Sequence, residues 1–193
     1  MAEVHRLETG SGPRTAILNA AMRLFGMQGY TGTSIRDLAT EVGVLPGSLY
    51  AHIQSKEALL VEIVADGIHR FITAVEPHAH GPGSPAERLR AMIVAHVEVV
   101  AGNPERSLVV FHQWRFLGEG SLPAAIERRQ VYEGCFIKVV EEGVAQGIFK
   151  QDINQWIAVF TILGALNWTP TWYRAGKKSP AAIARALVAS LRS

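Results

Sequence analysis

Apolar residues recur along the chain at three- and four-residue spacing, and glycines, prolines and hydroxyl-bearing caps cut that pattern into helix-length pieces. No stretch alternates apolar and polar residues as a half-buried strand does, so the pattern predicts an all-α protein of about nine helices. The first helix is expected from about Thr15 to Gln28, with Ile17, Leu18, Ala21, Leu24 and Phe25 on one face and Gly29 as its stop. A short second helix follows Thr33-Ser34, where Ser34 and Asp37 have capping-box spacing; it buries Ile35, Leu38, Ala39 and Val42 before Gly43. The third begins at Pro46, which suits a first helical turn because the missing N–H would be unpaired there.

After a cap at Ser55, apolar pairs from Leu59/Leu60 to Phe71/Ile72 predict one long helix to about Val75, joining two domains. Pro77 to Gly83 is rich in Pro and Gly and reads as a loop. Ser84-Pro85-Ala86-Glu87 is a complete start signal for a fifth helix ending near Ala101. Asn103-Pro104-Glu105 and Ser121-Leu122-Pro123 open the sixth and seventh, the latter carrying Ile126, Val131, Phe136, Val139, Val140 and Val144 until Gly147. Asp152 or Asn154 opens the eighth, expected to end near Pro170, and Ser179-Pro180 opens the ninth, with Ile183, Leu187 and Leu191 four apart.

Composition narrows the class of protein without naming its partner. The 193 residues are 48% hydrophobic, enough for a core that needs neither metal nor disulfide, and the single Cys135 cannot make an internal bridge. The most apolar stretch, Trp156 to Trp168, is about 13 residues, short of the roughly 20 that a membrane span requires. The first residues lack the order of a secretory signal, so the expected location is the cytoplasm. A net charge of +2 gives no bulk basicity, so any case for nucleic acid rests on where the charges sit. No glycine-rich phosphate loop, nucleophile elbow or His-Glu-X-X-His is present, which disfavours an enzyme, and nothing calls for a cofactor. His78 and His80 are the only spacing that invites a metal, without a Cys or carboxylate partner in sequence.

Three short helices in about 40 residues, with a tight turn at Gly43, are what a helix-turn-helix requires. The wording within them is more specific: Ala20-Ala21-X-X-Leu24-Phe25, Gly29-Tyr30, Thr33-Ser34-Ile35, Leu38-Ala39, Gly43-Val44, then Gly47-Ser48-Leu49-Tyr50-X-His52-X-X-Ser55-Lys56-Glu57-X-Leu59. Over residues 14 to 60 this resembles the DNA-binding domain of the TetR family of bacterial transcriptional repressors. The resemblance implies a disordered arm at 1–13, a helix-turn-helix domain at 14–56 and a ligand-binding and dimerisation domain at 57–193.

It also implies roles. Thr33, at a helix N-terminus, would present hydroxyl and amide groups to a phosphate. Ser48, Tyr50, His52 and Lys56 match positions used on the DNA backbone, and Arg36 matches one that reaches a base, where its fork suits guanine. Pro46, Gly47 and Tyr50 would line the groove face of the third helix. Leu45 departs from the usual polar residue at that helix start, and Ala51 is small where an aromatic or His is frequent. The plainer readings are that Tyr50 and His52 close a small core and that Lys56 and Arg36 are solvated charges; Leu24, Phe25, Leu38, Val44 and Leu49 are core on either.

Family members pair through their last two helices into two-fold dimers on palindromic operators. Here Ala158, Ile162, Gly164 and Ala165 of the eighth helix and Ala182, Ile183, Ala186, Leu187, Ser190 and Leu191 of the ninth would serve. The string Leu163 to Arg174 resembles the equivalent segment in regulators that respond to acyl-CoA thioesters. That likeness implies an apolar tunnel lined by Ile93, Val97, Val109, Phe116, Phe136, Val140 and Phe160, with Arg115, Arg128, Arg129, Arg174, Trp168 and Trp172 toward the CoA end. The plainer reading makes the aromatics core and the arginines solvated. The function expected is a ligand-responsive homodimeric repressor, released from its operator when a hydrophobic effector tilts the fourth helix; the alternatives are a DNA-binding regulator without a small-molecule effector and a helical enzyme.

Overall fold

The computed structural model describes residues 12–192, and every described element is helical. The expected arm lies outside these residues except for Gly12 and Pro13. Pro13 already opens the first helix, because proline is tolerated there as well as two residues later. The order is α1 (Pro13–Gln28), α2 (Ile35–Val42), α3 (Pro46–Leu49), α4 (Lys56–Ala79), α5 (Pro85–Gly102) and α6 (Pro104–Leu108). A π-helical turn (Val109–Gln113) and a 3-10 turn (Trp114–Phe116) follow. The chain continues through α7 (Leu122–Ala145), α8 (Gln155–Asn167), α9 (Thr169–Trp172) and α10 (Pro180–Ala189).

Local chemistry sets the boundaries. Ser34 and Asp37 form the expected capping box, as do Ser84 and Glu87. Ser55, Asn103, Asn154 and Ser179 each accept a first-turn amide at the starts of α4, α6, α8 and α10. Gly43 ends α2 at φ 78°, a left-handed conformation that costs a side chain-bearing residue about 1 kcal/mol or more. Two prolines act differently from expectation. Pro77 does not end α4; it and Thr73, whose carbonyl loses its partner, are both solvent-exposed, so water replaces the lost bond. Pro170 opens the extra turn α9 instead of closing α8.

α4 is the spine, packed along its length by α5 and α7, with α10 against α5 and α8 against α7. Its contact with the π turn is close enough that a Cβ on Gly67 would overlap Val110 Cγ2. The three N-terminal helices dock on this body through α1 and α6. Their own core is Ile17, Ala20, Ala21, Phe25, Leu38, Leu49 and Ile53. Val44, expected inside, is 40% exposed, because the turn after Gly43 carries it to the surface, and Leu24 is only half-buried.

Candidate nucleic-acid interface and interior chamber

The turn between α2 and α3 leaves both helices with an outward face. Arg36 on α2 and Pro46, Gly47, Ser48, Tyr50 and His52 along α3 and its trailing turn are all exposed, Tyr50 at 57%. Leu49 and Ile53, on the opposite side of that short rod, are buried and anchor it. Tyr50 and His52 therefore do not close the small core. Leu45, 76% exposed, leaves α3 with no side-chain cap. Tyr50 and His52 also border a hollow of about 580 Å³ with Arg14, Gln54 and Glu62, whose walls are braced by an Arg14 Nη1 to Glu62 Oε1 bond of 2.9 Å.

Two residues of the expected interface face inward. Thr33 is 1% exposed and its hydroxyl donates to the Gly29 carbonyl at 2.9 Å. Lys56 Nζ donates to the carbonyls of Tyr30 (2.9 Å) and Thr33 (2.8 Å) and lies 4.1 Å from the Tyr30 ring centroid. The physical reason is the same for both: the tight Gly29 to Thr33 turn exposes carbonyls to the interior that need donors. An ammonium has three N–H groups, so Lys56 retains one for another acceptor. Ser34 N donates to Asp37 at 2.7 Å, and this bond, with the Ser34 hydroxyl, holds the Asp37 carboxyl below its usual range.

The turn at Tyr30 is also tied to the C-terminal body. Tyr30 N donates to Gln113 Oε1 at 2.9 Å, the Tyr30 ring stacks on Phe116 at 6.0 Å, and Gly118 N donates to Glu57 Oε1 at 3.0 Å. Phe116 thus meets the N-terminal unit and not a tunnel. Two residues upstream, Trp114 has Arg115 and Arg129 over its ring, at 5.2 and 4.7 Å.

That segment leads into a cavity of about 20 Å³, room for about one water, bounded by Ile68, Phe71, Val110, Phe111, Arg129, Tyr132, Glu133, Leu163 and Asn167. Of the residues expected to line an effector tunnel, Arg129 alone borders this cavity. Ile93, Val97, Val109, Phe136 and Val140 are at most 0% exposed and pack in the core, their spacing being that of a core stripe. Phe160 is half-buried against Trp156 at 4.4 Å on the outside of α8. Arg115, Arg128, Trp168, Trp172 and Arg174 are exposed.

The chamber wall is unusually polar for a core. His96 is fully buried, with Nδ1 2.6 Å from the Tyr132 hydroxyl and Nε2 3.3 Å from the Leu166 carbonyl. A carbonyl only accepts, so Nε2 carries the proton and Tyr132 donates to Nδ1. Burial pushes His96 down to about 4 and Tyr132 well above its ordinary value, which keeps both neutral. Burial also raises the Glu133 carboxyl, opposed by Arg129, whose guanidinium lies 3.5 Å away. Asn167 Oδ1 and His112 Nε2 are buried without a partner among the described residues. Sequence reading missed this set, although His96 interrupts an apolar stripe of Leu89, Met92, Ile93, Val97 and Val100, the signal of a polar group inside. His78 and His80 are exposed at the end of α4, and no group of three or more His, Cys, Asp or Glu placed to hold a metal occurs among the described residues. No described helix is long and apolar enough to cross a membrane.

The faces expected to pair are partly outward. Gly164, Ala165, Ala186 and Ser190 are exposed, with Trp156 at 63% and Ile157 at 57% beside them on α8. Ile162 and Leu191 are instead buried within the chain, and Ala158, Ala182, Ile183 and Leu187 are half-buried.

Comparison with known proteins agrees with this arrangement. Residues 17–63 match the model described as bacterial regulatory proteins, tetR family, and residues 82–193 match that of the tetracyclin repressor-like C-terminal domain. The HTH-type transcriptional repressor KstR2 of Rhodococcus jostii is 32% identical over 176 residues, covering 86% of this chain and 82% of that protein. Among solved structures, AibR in complex with isovaleryl coenzyme A and operator DNA superposes with a TM-score of 0.79 at 27% identity, covering 93% of this chain and 98% of AibR. KstR2 of Mycobacterium tuberculosis, at 20% identity and a TM-score of 0.84 over 96% of this chain and 97% of that one, shares the fold. With both halves matched and a relative aligned along most of its length, the chain belongs to the TetR family of bacterial regulatory proteins.

Proposed function

We propose that this protein is a transcriptional repressor that binds a palindromic operator as a two-fold dimer and leaves it when a small effector enters the interior chamber. The observation that carries this reading is the exposed face of α2 and α3. Arg36, Ser48, Tyr50 and His52 stand outward on a unit braced from behind by Leu49 and Ile53. Arg36 is the base-reading candidate, and Ser48, Tyr50 and His52, with the remaining N–H of Lys56, suit phosphates. Thr33 contributes through the turn it holds. Pairing through the outward faces of α8 and α10 supplies the second half-site, roughly 34 to 36 Å from the first, which one unit alone lacks. In this reading the chain performs no chemical conversion and works in the cytoplasm.

The effector reading rests on the chamber. Its wall combines apolar surface from Phe71, Phe111 and Leu163 with Arg129, Glu133 and the unpaired Asn167 Oδ1, so an occupant with an apolar body and hydrogen-bonding groups fits better than a hydrocarbon. An acyl-CoA thioester is the class we favour, supported by the likeness to AibR. The cavity of about 20 Å³ must widen to admit it, moving Phe111 and the π turn. Gln113 and Phe116, on the same segment, hold Tyr30 and so transmit that motion to α1 and α2. A hundredfold loss of operator affinity needs the effector to favour the released arrangement by about 2.7 kcal/mol.

Mobility-shift titration on duplexes from the flanking genomic region tests this. Specific binding is expected, with Tyr50→Ala weakening it across sequences, Arg36→Ala relaxing preference at one base pair, and acyl-CoA thioesters releasing the duplex. Failure to bind any duplex at low ionic strength contradicts the regulator reading. Binding that no thioester or hydrophobe relieves contradicts the effector reading alone.

A further inference from the structure

A further surface concavity shares only Phe71 with the chamber wall and none of its lining with the exposed face of α2 and α3. A groove of about 630 Å³ runs between α4 and the α5–α6 corner. Its charged groups are Asp66, Arg70 and Arg106, His69 lies beside them, and its apolar wall includes Phe71, Ala74 and Val99. One carboxylate serves two guanidiniums here. Asp66 Oδ2 is 2.9 Å from Arg70 Nε and 3.6 Å from Arg106 Nε. The hydrogen-bond acceptor of Arg106 Nε is the Met22 sulfur at 3.3 Å, a weak one, since Asp66 stands at ion-pair distance only. The Nη atoms of both arginines have no hydrogen-bond partner among the described residues.

Of the three groups, Arg106 is the one that water shields poorly. The Arg106 side chain is 18% exposed, and burial first and Arg70 second lower its preference for the charged form, with Asp66 opposing. One largely buried guanidinium, Arg106, and one exposed one, Arg70, with a single shared carboxylate leave a net positive charge and two free forks. Forks of this kind match the oxygens of a carboxylate or phosphate. Beyond them Phe71, Ala74 and Val99 give the groove an apolar stretch, bordered by Thr73, Asn103 and Ser107.

We propose that this groove binds an amphipathic anion, a carboxylate or phosphate head held by Arg70 and Arg106 with an apolar body along Phe71, Ala74 and Val99. The head competes with Asp66 for the same donors, and this gives the site a signature that a structural ion pair lacks. Removing Asp66 strengthens ligand binding, whereas loss of a merely structural acceptor would weaken it.

Calorimetric titration of the full chain without DNA, using octanoate, octyl phosphate, inorganic phosphate and octanol, tests the site independently of the operator reading. One octanoate or octyl phosphate per chain is expected, the tighter of the two naming the head group. Octanol and inorganic phosphate should each bind at least tenfold more weakly, because each lacks one half of the ligand. Arg70→Gln and Arg106→Gln should weaken the amphiphile by tenfold or more, consistent with charge-assisted bonds, and Asp66→Asn should tighten it severalfold. Arg70 is exposed, so its variant keeps the test open if the Arg106 variant does not fold. No amphiphile binding, equal binding of octanol or inorganic phosphate, or indifference to Arg70→Gln and Asp66→Asn would overturn the proposal.

Discussion

The N-terminal unit and the C-terminal body use polar residues in opposite places. On α2 and α3 Arg36, Ser48, Tyr50 and His52 stand outside on a rod whose apolar back is anchored, so these four are free for a partner and carry little of the fold. In the body, His96, Tyr132 and Thr169 lie inside, bonded to one another or to the Leu166 carbonyl, so the proposed effector response would draw on side chains that also hold the fold. Substitution should therefore separate binding from folding in the first region and confound them in the second.

Five substitutions sharpen or break that contrast. Phe136→Ala, which removes a fully buried ring, should cost about 3–5 kcal/mol in denaturant unfolding, whereas Tyr50→Ala should stay within about 0.5 kcal/mol while losing duplex affinity. Comparable stability losses would erase the distinction. His96 gives the next effect. Its folded value of about 4 lies below the ordinary 6.5, so between these values the unfolded chain binds a proton that the native chain refuses. Stability should be full above pH 6.5 and fall by roughly 3 kcal/mol toward pH 4, a component that His96→Gln abolishes when the two unfolding profiles are subtracted.

Gly67→Ala should cost about 1–3 kcal/mol, since its methyl overlaps Val110 in the π turn; a neutral thermal shift would show that the turn yields easily. Ser34→Ala, which opens the α2 capping box, should cost about 1 kcal/mol by thermal unfolding and reach duplex binding only through the orientation of α2.

The same contrast explains what could be read from sequence. The caps at Ser34, Ser55, Ser84, Asn103 and Ser179 and the turn at Gly43 act within a few residues, and the expected helices follow from them. Arg36, Ser48, Tyr50 and His52 were legible because a helix-turn-helix fixes outward positions by local spacing. Thr33 and Lys56 were not, because their partners are carbonyls created by the turn's own geometry. The chamber was least legible. Phe71, Phe111, Tyr132 and Asn167 come from four separate elements, and periodicity marks each only as facing inward. Pro77 was misread as a breaker because its exposure, which makes it harmless, depends on how α4 packs.

Hydrogen exchange of the effector-free protein with and without a bound duplex tests most directly whether the outward face of α2 and α3 is the working surface. The account predicts protection concentrated between residues 34 and 54, with α8 and α10 unchanged. Protection confined to the C-terminal helices, or none anywhere under conditions where the duplex is bound, would contradict it.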